Sequence, residues 1–176
     1  MNKQELLGWL EKYNREEDQK DRLCEIELGA ILNNKKELSK QDFIRLLEWK
    51  FGTYPARLKR EKNLAEQMTD DFIKKTVKEA LYAEDEKERT EKLFKIKGVK
   101  NAVASVILTF YDPKNYGVFD IHAWRELFGK EPEGFSSSSK RLMEFLKEIR
   151  KLAVQYQMNA RDIEKALYKK NYDESK

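Results

Sequence analysis

The segment from Val99 to Tyr111 reads VKNAVASVILTFY, and it decides the fold class of this chain. It is apolar almost all the way round, which is typical of a helix that is buried on most of its faces. Its thirteen residues are many for a β-strand, and the flanking turn residues favour a helix. We therefore expect a central helix here, and its small residues Ala102, Ala104 and Ser105 would let neighbouring helices approach closely.

The composition of the whole chain also favours helices. Of its 176 residues, 7 are glycine and 3 are proline, so turn formers are scarce. A β-sandwich or β-barrel needs a turn roughly every 8–12 residues, and this chain leaves little room for that many. Hydrophobic residues make up 40 % of the sequence, which is enough for a core despite 39 % charged residues. We expect a single all-α domain over residues 1–176.

Several protein classes are excluded by simple counts. The single cysteine, Cys24, cannot form an internal disulfide or a four-thiolate metal site. No apolar run approaches the roughly 18–20 residues of a membrane span, and the first residues have no apolar signal region. We therefore expect a cytoplasmic protein with no membrane association, and we predict no metal and no cofactor.

The apolar spacing predicts ten helices, with a loop at 130–139 and the last two helices within 140–170. In the second of these helices we expect Leu23, Ile26, Leu28, Ile31 and Leu32 to face inward. The predicted ranges are about 2–12, 19–32, 40–50, 56–67, 70–82, 85–95, 99–111, 121–128, 140–155 and 160–169, with Ser139 as the cap of the ninth helix.

The net charge is +4, and the positions of the basic residues are more informative than this total. Basic residues concentrate at 57–62 and again at 92–100, where Lys92, Lys95, Lys97 and Lys100 occur with no acid between them. Basic clusters beside turns are candidate phosphate contacts. The alternative interpretation is a solvated helix face, which is common in a chain rich in Lys and Glu.

The second basic stretch contains a predicted hairpin between two helices. Gly98 permits a backbone geometry that other residues resist. The N–H groups that open the next helix have no partner inside it, and together with the helix dipole they attract anions. Because Lys97 and Lys100 flank the turn, residues Lys97, Gly98, Val99 and Lys100 are our candidate phosphate-binding residues, with DNA as the expected partner.

Residues 92–128 resemble the helix-hairpin-helix DNA glycosylase superfamily. The resemblance lies in the hairpin Ile96–Lys100 and in Val118–His122, which corresponds to the acidic element of the family, with 22 residues from Gly98 to Asp120. The chain is more similar still to a group of short helix-hairpin-helix proteins that share a Trp-Lys pair, here Trp49 and Lys50, and a Trp after the acidic element, here Trp124. The resemblance implies DNA binding and base excision with Asp120 as the catalytic carboxylate.

Two positions depart from the family pattern. Lys100 stands where the family hairpin usually has a second glycine, although its backbone N–H is still available. Ala102 stands where bifunctional members carry a Schiff-base lysine, so this chain resembles the monofunctional type, which has no amine nucleophile at that position.

Asp120 has two interpretations that are compatible with each other. Its carboxylate could stabilise a cationic sugar transition state, or it could simply cap the helix that follows. Around it we predict a base-binding pocket, in which four aromatic residues are stacking candidates. Lys50 is either a pocket lysine or a solvated helix end, and His122 is either a pocket residue or a packed surface residue. The four stacking candidates are Trp49, Tyr54, Tyr116 and Trp124.

The sequence thus favours three hypotheses. The first is a DNA-binding helix-hairpin-helix protein, and the second adds base excision by Asp120. The third is a non-catalytic helical interaction module that retains the fold without DNA, which the missing hairpin glycine at Lys100 favours.

Overall fold

The computed structural model describes residues 1–131, 134–135 and 138–176. These residues form ten α-helices and no β-strand, which confirms the all-α prediction. No helix among them is both long enough and apolar enough to cross a membrane. The helices are α1 (Lys3–Glu16), α2 (Gln19–Lys35), α3 (Lys40–Phe51), α4 (Pro55–Glu66), α5 (Asp70–Tyr82), α6 (Glu86–Leu93), α7 (Asn101–Tyr111), α8 (Ile121–Phe128), α9 (Ser139–Tyr156) and α10 (Ala160–Glu174).

Helix α7 lies at the centre of the packing. Nine of its eleven residues are buried, and it contacts α2, α3, α6 and α9. This confirms that the apolar segment is a central helix. It begins at Asn101 rather than at Val99, because Val99 and Lys100 belong to the hairpin that joins α6 to α7.

Helix α2 corrects one part of the predicted core. Leu28 and Leu32 are fully buried as expected, but Leu23 and Ile26 are exposed. At about 100° per residue, Leu28 and Leu32 lie on one face of the helix, whereas Leu23 and Ile26 point to the opposite side. Only the first face packs against the rest of the protein.

The predicted loop at 130–139 falls partly on residues 132, 133, 136 and 137, which lie outside the described ones. The neighbouring residues are held to the start of α7. The side-chain amide of Asn101 donates hydrogen bonds to the carbonyl oxygens of Phe135 (3.1 Å) and Ser138 (2.9 Å). Since Asn101 is fully buried, these bonds fix the chain between α8 and α9 against the central helix.

A short non-helical segment, Val118–Phe119, runs between α7 and α10 and leads directly into Asp120. The N–H of Phe119 donates to Ser105 Oγ in α7 at 2.8 Å. The N–H of Val118 donates to Glu164 Oε2 in α10 at 3.2 Å. These two bonds satisfy backbone groups that are buried away from water, and they fix the position of the next residue.

Close packing between α2 and α7 depends on Gly29. A Cβ at this position would lie 2.9 Å from the carbonyl oxygen of Phe110, which is backbone and cannot move aside. We expect Gly29→Ala to lower the free energy of unfolding by about 1–3 kcal/mol, measured by urea denaturation.

Gly8→Ala is the matched control for that substitution. Gly8 is also helical, but a Cβ there would meet nothing within 4 Å. It should stabilise the protein by roughly 0.5–1 kcal/mol, because Ala is the better helix former. Equal effects from the two substitutions would contradict the close approach of α2 and α7.

Candidate functional site

Asp120 is the N-cap of α8, and it also forms an ion pair. Its Oδ1 accepts the N–H of His122 at 3.0 Å, which is the capping bond. Its Oδ2 accepts a hydrogen bond from Lys50 Nζ at 3.1 Å. The two side chains are only 21 % and 12 % exposed, respectively. One carboxylate oxygen therefore serves the helix, while the other faces a cation that is contributed by α3.

The carboxyl of Asp120 is held in its charged form. Burial acts to raise its pKa, but the charge of Lys50, the His122 N–H and the hydrogen bond from Lys50 together outweigh burial and lower the pKa below its ordinary value. Lys50 is therefore not a solvated helix end. It stabilises the charged form of a largely buried carboxylate.

A cavity of about 530 Å³ opens beside this pair. Its lining brings together five residues that were predicted from sequence, each contributed by α3, α8 or the residues that adjoin them. Its volume lies within the range of small-molecule sites, and Tyr54 in its lining has 62 % of its surface exposed. The five residues are Trp49, Lys50, Tyr54, Asp120 and His122.

His122 is held in place by α10. Its Nδ1 lies 3.0 Å from Asn171 Oδ1, and because that oxygen only accepts, Nδ1 is the donor. The rings of Tyr168 and Tyr172 meet the imidazole edge-on, with centroids 5.6 and 5.4 Å away. The imidazole is thus a fixed part of the cavity wall.

Two predicted pocket residues lie elsewhere. Tyr116 is buried, and its hydroxyl accepts a hydrogen bond from Arg89 Nη1 at 2.9 Å. Trp124 is buried too, with its indole N–H donating to the carbonyl of Lys130 at 2.8 Å and its ring packed on Phe119. Neither residue lines the cavity, because each side chain is used to fill the core.

The sequence did not single out three tyrosines that do line the cavity: Tyr13, Tyr168 and Tyr172. They come from α1 and α10, which pack against each other although they lie at opposite ends of the chain. The rings of Tyr168 and Tyr172 stack with centroids 5.6 Å apart. Their spacing of four residues on one helix is the only sequence signal that could have paired them.

The hairpin between α6 and α7 requires a glycine for two reasons. Gly98 has φ of +83°, a left-handed conformation that other residues rarely adopt. A Cβ at this position would also collide with Glu61 Oε2 and would lie 3.1 Å from Leu64 Cδ1, both on α4. Helix α4 therefore packs directly onto the turn.

This packing brings one side of α4, with Arg60 paired to Glu61, close to the lysines of the hairpin. The Lys97 N–H donates to Met68 Sδ at 3.4 Å, and the Lys97 ammonium lies 3.5 Å from Gln67 Oε1, just beyond α4. We call the combined surface the basic face, and its members are all exposed. The basic face consists of Arg57 and Arg60 on α4, with Lys95, Lys97 and Lys100 in the hairpin.

A buried acid lies within the basic face. The Glu61 side chain is 4 % exposed, and its Oε1 accepts hydrogen bonds from Arg60 at 2.5 and 3.2 Å. Its other oxygen abuts Gly98. The carboxylate reduces the positive potential at the hairpin, so anion binding there depends on the surrounding lysines and arginines.

No known protein family, curated protein or solved structure matches this chain. The site is therefore interpreted from its own geometry: an ionised Asp120 in an aromatic cavity, and a basic face built round Gly98.

The ion pair at Asp120 predicts a pH-dependent cost of removing Lys50. Because folding lowers the pKa of Asp120, its contribution to stability is present above the ordinary carboxyl pKa and is lost as the pH falls through the folded pKa. We expect Lys50→Met to lower the free energy of unfolding by roughly 1–3 kcal/mol near neutral pH, and by less in acid. Urea denaturation at several pH values measures this difference.

Lys62→Met is the control, since Lys62 pairs with Glu48 at an exposed position. Lys62→Met should change the free energy of unfolding by no more than about 0.5 kcal/mol. The carboxyl pKa of Asp120, followed by NMR, should rise in Lys50→Met. An unchanged pKa would show that Lys50 does not stabilise the charged carboxylate.

Proposed function

We propose that this protein binds DNA through the basic face and removes a base from it by hydrolysis of the N-glycosidic bond, with Asp120 as the catalytic carboxylate. The observation that carries the proposal is the ionised, partly buried Asp120 in the wall of a cavity of about 530 Å³ that is lined by aromatic side chains. An enzyme that acts on a base must turn it out of the stack into a pocket of this kind.

The chemistry requires one negative charge close to the sugar. As the bond between C1′ and the base nitrogen breaks, positive charge develops on the sugar ring, and a fixed carboxylate stabilises that charge. The base takes the electron pair of the bond. Water adds its oxygen to C1′, and the proton that the water releases balances the one gained by the departing base.

Lys50 has a positioning role in this scheme. It keeps Asp120 ionised and holds one of its oxygens, while the N–H of His122 holds the other. Since both bonds come from packed helices, the carboxylate stays in a defined orientation without substrate. Preorganisation of this kind is what makes electrostatic stabilisation effective.

The basic face supplies the contacts to the DNA backbone. Its five exposed cations come from two adjoining elements, so they can follow consecutive phosphates rather than one. Tyr54 precedes the first residue of α4 and also lines the cavity. The helix therefore connects the phosphate-binding surface to the place where the base would be held.

The non-catalytic interaction module is the second candidate, and Glu61 favours it. A buried carboxylate against Gly98 opposes phosphate binding at the hairpin backbone. If DNA is not the partner, the fold would retain the hairpin for packing alone. A measurement of DNA binding distinguishes these two candidate functions.

We expect salt-sensitive binding to duplex DNA that weakens in Lys97→Gln/Lys100→Gln. Each phosphate contact that is lost should reduce the slope of log affinity against log salt by about 0.9, without a change in sequence preference. Fluorescence anisotropy at several salt concentrations measures this slope.

The control variant for DNA binding is Lys147→Gln/Lys151→Gln, which removes the same charge from α9. Lys151 is 13 residues beyond Ser138, or about 20 Å along the helix from the end that lies next to Asn101. The DNA affinity of this control variant should stay close to that of the wild type. Absence of salt-sensitive binding in the wild type would favour the interaction module.

We expect Asp120→Asn to reduce base release by at least about 100-fold while leaving DNA affinity unchanged. Asn caps helices as well as Asp does, so the substitution removes the charge and keeps the cap of α8. Release is measured as alkali-labile sites in duplexes that each carry one altered base.

Asp85→Asn provides a matched control, because Asp85 caps α6 in the same way from an exposed position. It should leave base release unchanged. Base release by Asp120→Asn at the wild-type rate would remove Asp120 from the mechanism. A wild-type protein that binds DNA but releases no base from a broad panel would leave only the binding function.

A further inference from the structure

Helix α2 carries apolar side chains on two opposite sides. Leu28 and Leu32 are buried against the core, whereas Leu23 is 48 % and Ile26 is 60 % exposed. Single exposed apolar residues are ordinary on protein surfaces, but these two are neighbours on one side of the same helix. A helix that is apolar on more than one side is expected to be covered on each of them. The described part of one chain covers only the inner side of α2.

The outer side of α2 has the spacing of a coiled-coil seam. Exposed residues recur there at intervals of four, three and four, which is the alternation of the a and d positions of a heptad. The two large apolar residues lie in the middle, and a small residue that permits close approach follows them. We call this set the α2 seam, and it consists of Gln19, Leu23, Ile26 and Ala30.

Opposite charges flank the α2 seam on the side next to α3. Lys20 and Glu27 are both exposed, and each follows a d position of the seam, so both occupy e positions. Glu27 also pairs with Arg45 of α3, which shows that this flank faces α3. The cation lies towards the beginning of α2 and the anion lies nearer its end. This flank is therefore complementary to a reversed copy of itself.

A groove of about 710 Å³ lies beside the α2 seam, between α2 and α3. Leu23 of the seam lines it, together with the flanking Lys20 and Glu27. On the α3 side it is lined by Arg45 and Glu48. The groove therefore offers space and charged partners to the side chains that flank a second helix laid on the seam.

We propose that two copies of this chain pair through the α2 seam, with their α2 helices antiparallel about a twofold axis. In this register Leu23 of one copy contacts Ile26 of the second copy, and Ala30 lies opposite Gln19 of the second copy. Because the interface is isologous, each contact occurs twice. The second copy thus supplies the cover that the outer side of α2 has no source for among the described residues of one chain.

Charge complementarity favours a second copy as the occupant. In the antiparallel register Lys20 of one copy lies about two residues, or about 3 Å along the axis, from the level of Glu27 of the second copy. Two such ion pairs form across the twofold axis. A parallel pair would instead stack Leu on Leu at the a position and Ile on Ile at the d position, which favours trimers and tetramers over dimers.

Pairing through the α2 seam leaves the basic face open. Helix α2 packs near the end of α7, because Gly29 approaches the carbonyl oxygen of Phe110. The hairpin with Gly98 precedes the other end of α7, which begins at Asn101, about 14 Å along the helix from Phe110. The inference therefore does not rest on the proposed function, and it can be tested without DNA.

Sedimentation equilibrium of the full-length protein measures the self-association. We expect a reversible monomer–dimer equilibrium with a dissociation constant of roughly 10–100 µM, because one helix from each copy makes an interface at the small end of the stable range. Ile26→Glu should weaken the dimer at least about tenfold, since it places a charge in each half of the seam. A wild type that is monomeric at every concentration would overturn the inference and leave the seam to a different partner.

Val154→Glu is the matched control, since Val154 is an apolar residue of α9 with 81 % of its surface exposed. It should leave the dimer affinity unchanged. Both substituted positions are exposed and helical, so circular dichroism and the thermal midpoint should stay close to those of the wild type. Equal weakening by the two substitutions, or no weakening by Ile26→Glu, would contradict pairing through the α2 seam.

Charge reversal tests the antiparallel register. Lys20→Glu and Glu27→Lys each place like charges across the twofold axis, and each should weaken its own dimer about threefold or more. An equimolar mixture of these two variants should regain wild-type affinity, because the mixed dimer contains two pairs of opposite charge. Arg22→Glu, on the other flank of the seam, should leave the affinity within about twofold of the wild type. A mixture that does not recover, or strong weakening by Arg22→Glu, would overturn the register.

Discussion

Burial of α7 is the constraint on which the rest of the structure depends. A helix that is apolar on nearly all sides must be covered by several others, and α2, α3, α6 and α9 pack around it. Its few polar side chains then act as attachment points. Ser105 accepts the N–H of Phe119, and Asn101 holds the carbonyls of Phe135 and Ser138. The helix that forms the core therefore also fixes the segment that presents Asp120.

The packing of the helices sets the charge state of Asp120. Asp120 is placed where burial would neutralise it, and Lys50 from α3 restores the charge. Glu164 has a parallel role in α10, where it accepts the N–H of Val118 and pairs with the buried Arg161. Asp120 faces Lys50, whereas Glu164 shares Arg161 with Glu25, and burial raises the pKa of Glu164.

The sequence predicted features that depend on local signals. The central helix follows from its own composition, and Asp120 was recognisable because a capping residue precedes a short helix. The pairing of Lys50 with Asp120 spans 70 residues, and Tyr168 meets His122 across helices, so no local pattern contains either contact. The sequence suggested that Tyr116 and Trp124 line the pocket, but both fill the core, because an aromatic residue near a motif can serve either purpose. That outcome depends on packing partners such as Arg89 and Phe119.

Tyr54 lies between the two proposed surfaces, the basic face and the cavity beside Asp120. This residue precedes α4, on which Arg57 and Arg60 belong to the basic face, and it lines the cavity beside Asp120. In the proposed function, phosphates contact the basic face and the base enters the cavity. The chain segment at Tyr54 joins these two surfaces, so binding of the DNA backbone would bring a base that has left the stack close to Asp120.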